Sequence, residues 1–518
     1  MQRLVIALTT LLTLTGAAVV TGYLLVFAVG SDRLAQATPA GTAAYATVYL
    51  QPSTGQKMNL AQLLGRVPGF ADAASLDQKI HEITARLMGE AGVDYERDVR
   101  PWLGNQVAIA ARPDAADPLA ADTWFLAATT DAGAAEAALE RIATDQGSQV
   151  TTSEHEGVTV SAADGTAWAV LDELVIFAPD PASVTEALDV AAGRADSLAS
   201  EAGFRDAMGR LPSDHLAAVY LDSTEALASS EADTPATGYT DLSLALVAEA
   251  EGLHLFGVAP FDADEAPESM VDAFELGRQV GELTGWMPED TQAALVVFGL
   301  SQSLTAAEEQ LGSAPGGDAV ADALNQVRAV AALGLGIDID DDVLPLFDGE
   351  TAIAVGGIDT GTPGAQLLLR PSDAQAAEAA LGRLRDALAG RGAAVDEEQI
   401  DGTTVTTVEV PELGTVSYAV RDGVVAAGLT TDAVIGALDA GAGTSLADTE
   451  RYADAWELAG TRGGNEGYLD VAAVVDGFGD EMGATGEVGD ILREIGALAA
   501  TMPARDDHSE IHIVLTVR

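Results

Sequence analysis

The sequence predicts an α+β protein: two tandem copies of one domain, each a mainly antiparallel sheet with helices packed on one side, behind an N-terminal transmembrane helix. Three observations lead there. The chain repeats itself, with GVDYERDVRPWLGNQVAIA (Gly92–Ala110) aligning without a gap on GIDIDDDVLPLFDGETAIA (Gly336–Ala354). Apolar runs are separated by Asp-Gly pairs, which favour two-residue hairpins. The run Leu4–Gly30 contains no Asp, Glu, Lys, Arg or His.

The repeat extends well beyond its best block. AAEAALER (Ala134–Arg141) meets AAEAALGR (Ala376–Arg383). Trp168, Ala169, Val170, Asp172 and Val175 meet Tyr418, Ala419, Val420, Asp422 and Val425, and Tyr220-Leu221-Asp222 meets Tyr468-Leu469-Asp470. Blocks in one order at nearly constant spacing indicate duplication of a whole domain, not a solenoid of short repeats. The expected division is 1–37 anchor and tether, 38–259 first copy, 260–286 acidic linker with a short helix, and 287–518 second copy.

Within the first copy, strands are expected at Ala43–Leu50, Gln106–Ala111, Thr123–Ala128, Val158–Ala162, Ala167–Leu171 and Leu174–Ala178, rich in β-branched and aromatic residues. A closing strand GLHLFGV begins at Gly252 and corresponds to EIHIVLTV from Glu510. Helical patterns fall at Asn59–Met88, Ala132–Thr144, Pro181–Ala191 and Phe204–Arg210, with a further helix expected at Leu242–Ala250 after a polar loop, Ser229–Asp241. Asp164-Gly165, Asp401-Gly402 and Asp422-Gly423 are the expected hairpin turns. Adjacent strands punctuated by helices, without regular βαβ alternation, give the α+β class.

As a helix, Leu4–Gly30 would be about 40 Å long, enough to cross a hydrocarbon core of about 30 Å with tilt. Its length favours an uncleaved anchor over a cleaved signal peptide, although Ala35-Gln36-Ala37 has the small-x-small form of a processing site. Arg3 and the amino terminus favour the inside for the N-terminus, putting the bulk of the chain outside the cytoplasm as a single-pass cell-membrane protein.

With 81 acidic against 25 basic residues the net charge is −56, and Lys57 and Lys79 are the only lysines. Such a chain lacks the basic clusters that bind nucleic acid. The acidic excess reads either as salt adaptation or as a coding bias toward Ala, Gly, Asp, Glu and Arg. There is no cysteine, which excludes disulfides, thiolate nucleophiles and cysteine-ligated metals.

No catalytic, cofactor-binding or metal residue is assigned, and no cofactor is expected. The cluster Asp338, Asp340, Asp341, Asp342 lacks the sixth-position Gly and twelfth-position Glu of an EF-hand loop and reads as a solvated turn, with Asp98 and Asp342 capping the turns before their prolines. His508 and His512 lie four apart on a strand, about 13 Å, too far to share a metal. His81-Glu82 begins like a zincin helix, but Ala85 stands where the second histidine belongs. Trp102, Trp124, Trp168, Phe347 and Tyr418 read as core residues.

The segment DVRPWLG (Asp98–Gly104), after GVDYER and before an apolar strand, together with the strand ending YLQPS at Tyr49–Ser53 and the helix that follows, resembles the bacterial family catalogued as domain of unknown function 3352. The second copy departs from it, with Leu346, Phe347 and Asp348 at the places of Trp102, Leu103 and Gly104. The resemblance implies an N-terminally anchored protein displayed outside the cytoplasm and brings no activity or site residues. The expected function is non-catalytic binding or an envelope-accessory role, the partners being the membrane and an envelope protein or small-molecule ligand. The alternative is a hydrolase-type enzyme whose site has no sequence signature.

Overall fold

The computed structural model describes residues 32–51, 53–66, 93–114, 117–222, 238–305, 336–359, 364–410, 414–481 and 486–518, with 85, 328, 483 and 484. The run Leu4–Gly30, the expected helix beyond Arg66 apart from residue 85, and most of the loop Ser229–Asp241 lie outside them. Among the described residues no helix is long and apolar enough to cross a membrane. The chain divides into two compact units, the first closing at Phe261 and the second running from Asp262 to Arg518 together with residues 236–238.

The first unit is built on β1 (Ala44–Tyr49), β2 (Leu103–Asp114), β3 (Asp117–Thr129), β4 (Thr151–His155), β5 (Val158–Ala163), β6 (Thr166–Val170), β7 (Leu174–Ala178), β8 (Ala217–Asp222), β9 (Asp241–Ala248) and β10 (Gly252–Pro260). Their order across the sheet is β10-β9-β8-β1-β2-β3-β7-β6-β5-β4, every pairing antiparallel. Helices α1 (Thr54–Arg66), α2 (Tyr95–Asp98), α3 (Ala132–Asp145), α4 (Pro181–Ala191) and α5 (Ala202–Gly209) complete it.

The second unit begins with α6 (Glu268–Leu276) and contains β11 (Thr291–Phe298), β12 (Glu350–Gly356), β13 (Gly364–Arg370), β14 (Val395–Ile400), β15 (Thr403–Val410), β16 (Gly414–Arg421), β17 (Val424–Gly428), β18 (Glu466–Asp470), β19 (Ile495–Thr501) and β20 (His508–Val517). Its order is β20-β19-β18-β11-β12-β13-β17-β16-β15-β14, again antiparallel throughout. Counted along the sheet, each strand holds the place of the strand ten earlier in the first unit. Its helices are α7 (Ala374–Ala389), α8 (Thr431–Ala440), α9 (Glu450–Ala459), α10 (Val471–Phe478) and α11 (Gly486–Glu494).

Local turn chemistry sets the hairpins. Asp164, Asp401 and Asp422 have φ of 51°, 49° and 52°, and the glycines after them 74°, 82° and 78°. These are left-handed pairs suited to a two-residue turn, and each joins directly paired strand ends, Ala163 with Thr166, Ile400 with Thr403, and Arg421 with Val424.

The helices do not lie on one side of the sheet; both faces are covered. In the first unit Ala108, Ala110, Trp124, Leu126, Ala167 and Ile176 face a core closed by α4 and α5. The alternate residues Val107, Phe125, Ala127, Trp168, Val175 and Phe177 face a second core closed by Trp102 and α3. In the second unit α8 and α9 cover one face and α7 the other. Strands buried on both faces read as near-continuous apolar runs, which is how VAIAA and WFLAA stand in the sequence.

Two further expectations are corrected. Leu242–Ala250 is not a helix: Asp241–Ala248 is β9, hydrogen-bonded between β8 and β10, and sheet pairing on both sides overrides the helical preference of its Leu and Ala. Residues 32–37 are not a loose tether. Leu34, Ala35 and Ala37 are buried in the core under α4 and α5. On the linker side, Leu283, Trp286 and Met287 lie in the second unit's core.

Candidate functional site

The signature segment forms a junction between α2 and α3. Asp94 caps α2, its side chain accepting from the Arg97 amide. Asp98, 1% exposed, accepts from Arg97 Nε at 2.9 Å and Nη2 at 2.7 Å, and from Arg141 Nε at 3.0 Å. Trp102 Nε1 donates to the Asp98 carbonyl at 2.6 Å. Gly104 lets β2 pass close to β3, since a Cβ there would sit 2.8 Å from the Ala128 carbonyl oxygen. Burial works to raise the Asp98 pKa, but the two arginines outweigh it and hold the carboxyl below the ordinary range.

The second unit rebuilds this junction with fewer parts. Asp338 caps the turn through the amides of Asp340 and Asp341. Asp342 accepts from Arg383 Nε at 2.5 Å and from the Asp338 amide at 2.9 Å. Arg383 lowers the Asp342 pKa. The acidic cluster is therefore a capped turn pinned to α7, and Asp98 and Asp342 receive a helix arginine where the sequence suggested caps.

A second constellation lies where the segment before the first strand meets the sheet. In the first unit Asp32 Oδ1 accepts from Tyr45 Oη at 2.7 Å, Gln106 Nε2 at 2.6 Å and the Ala35 amide at 3.1 Å. Burial raises the Asp32 pKa against those bonds. In the second unit Glu350 and Glu466, 5% and 2% exposed, stand on strands flanking β11. Glu350 Oε1 accepts from the Leu283 amide at 2.8 Å, and Glu466 Oε2 from Arg462 Nη2 at 2.6 Å. The Arg462 guanidinium lies 5.5 Å from the ring centroids of both Tyr452 and Trp456, a cation–π arrangement. Burial raises the Glu350 pKa and pushes the Tyr452 and Tyr468 phenols up to about 12.

Arg462 clamps these elements together: besides Glu466 it donates to the Gly281 carbonyl at 3.2 Å and to Thr284 Oγ1 at 3.4 Å. Sequence reading missed Asp32, Glu350, Arg462 and Glu466. The one available signal was parity: Glu350 shares its strand face with the core residues Ala352 and Ala354.

Histidines among the described residues likewise have internal partners, His81 lying outside them. His155 Nε2 lies 2.8 Å from Asp189 Oδ1, which also holds Arg194. His508 and His512 both lean on Glu510, at 3.9 and 3.4 Å. Among the described residues no cluster of metal-ligating side chains is present. Trp102, Trp124 and Trp168 are buried core residues, and Phe347 packs against the core under α7.

The family model for a protein of unknown function, DUF3352, matches residues 4–515. No curated protein matches the chain. Among solved structures, crystal forms III, IV and I of TP0453 are similar at 12%, 10% and 9% identity, covering 49%, 45% and 49% of this chain and 89%, 83% and 88% of theirs. Their TM-scores are 0.28, 0.26 and 0.26, and a likeness at that level carries no argument about function.

Proposed function

The chain belongs to the DUF3352 family of proteins of unknown function, and from that premise we propose that it is a single-pass membrane-anchored extracytoplasmic protein, made of two tandem copies of one domain, that binds an envelope partner or ligand without catalysis. The observation that carries the reading is the uncharged run Leu4–Gly30, two residues ahead of Asp32, whose carboxylate is hydrogen-bonded into the sheet of the first unit. The two coincident strand orders support the duplication. The net charge of −56 favours cationic or neutral partners and repels nucleic acid and anionic polymers.

Alkaline carbonate extraction of membranes tests the anchor: the full-length chain stays with the bilayer, whereas release into the supernatant rejects it. A hydrolase screen on the purified protein tests the absence of catalysis. Turnover abolished by one fold-preserving substitution would replace the binding role with an enzymatic one.

A further inference from the structure

We infer that residues 32–38 are a fixed part of the first unit and that Ala35-Gln36-Ala37 is therefore not a processing site. The inference does not rest on the anchored reading above.

Residues 33–38 form a tight turn closed by the Gln36 amide on the Arg33 carbonyl at 3.2 Å and the Ala37 amide on the Leu34 carbonyl at 3.0 Å. Leu34, Ala35, Ala37 and Thr38 are 3%, 1%, 5% and 0% exposed. The turn is bonded to a distant part of the fold: the Ala199 amide donates to the Ala35 carbonyl at 3.2 Å and the Leu198 amide to the Thr38 carbonyl at 2.9 Å. Cleavage after Ala37 would remove Leu34, Ala35 and Ala37 from the core and strip the Asp32 acceptor from Tyr45 and Gln106. It would leave a cavity and buried polar groups without partners, both of them strongly destabilising.

The second unit shows that the turn belongs to the domain itself. Leu283–Trp286 forms a 3-10 turn before β11, with Leu283 and Met287 at 0% exposure, and the Leu446 amide donates to the Met287 carbonyl at 2.8 Å. There the turn follows α6, with no uncharged run ahead of it. In the first unit the uncharged run ends one residue, Ser31, before Asp32.

The test uses the full chain isolated from its membranes. Intact mass should place the N-terminus ahead of Asp32; a chain beginning at Thr38 overturns the inference. In parallel, Ala35→Asp should lower the first unit's melting temperature by roughly 5 °C or more, and Leu34→Ala by less, while Gln36→Asp on the exposed side of the same turn changes it by about 1 °C at most. Failure of Ala35→Asp to fold while Gln36→Asp folds has the same meaning as a large loss. Equal melting of the Ala35 and Gln36 variants overturns the inference. Recovery of the unprocessed chain as a soluble protein would reject the anchor alone, because the Ala35 and Gln36 comparison still decides whether the turn is part of the fold.

Discussion

The Asp98 junction allows a quantitative test of how the signature segment acts. Asp98→Asn keeps the shape and removes the charge; Arg141→Gln removes the partner from α3. The Arg141 Nε to Asp98 Oδ1 distance is 3.0 Å, with the carboxylate 1% and the arginine 40% exposed. A hydrogen bond to a charged group contributes about 1.5–3 kcal/mol when buried, and an exposed ion pair about 0–1 kcal/mol. The half-exposed arginine places this pair near the boundary, so a double-mutant cycle should return a coupling of about 1 kcal/mol. Unfolding followed by tryptophan fluorescence is a suitable assay, since Trp102 donates to the Asp98 carbonyl. The sign with pH is fixed by the depressed carboxyl: the stabilisation is fully present above the unfolded value of about 3.9 and is lost as pH falls through the lower folded value. A coupling below about 0.3 kcal/mol, or one unchanged at low pH, would refute the assignment of Asp98 as the anchor point of α3.

Glu350→Gln, which places at that site the residue type found at Gln106, should raise the second unit's melting temperature at pH 7. The buried Glu350 carboxyl is raised, so its native state favours the proton and loses stability as pH rises from the unfolded value through the folded one; a lower melting temperature for the variant at pH 7 contradicts this. Gly423→Ala, at φ 78° in a hairpin turn, should destabilise by about 1 kcal/mol, whereas Gly382→Ala within α7, where a Cβ meets nothing within 4 Å, should stabilise by about 0.5–1 kcal/mol; denaturant melts of both variants give the comparison. Melting temperature should also rise from low to moderate salt as counterions screen the excess of 81 acids over 25 bases, and a flat response removes the halophilic reading.

Legibility in the sequence followed the range of the interactions. The Asp-Gly turns were readable because two residues fix their own backbone geometry, and the antiparallel pairing followed from them. The β9 segment DLSLALVA was not, because its conformation is imposed by partners on both sides. Coverage of both sheet faces stood in the apolar runs VAIAA and WFLAA but only weakly, since alanine, which fills tight positions such as Ala108, Ala127 and Ala167, is equally at home on an open face. The turn Leu34–Ala37 carries no periodicity, and its place in the core depends on Ala199 and Leu198, far along the chain. The Arg462 clamp is assembled from the turn before β11, two strands and α9, so no local pattern announces it.

The central claim, a membrane-held protein with both units outside the cytoplasm, is tested most directly by adding protease to intact cells and following epitope tags placed in each unit. The account predicts that both tags are lost while a cytoplasmic marker survives. Survival of both tags in intact cells, followed by their loss when the membrane is permeabilised, would contradict it.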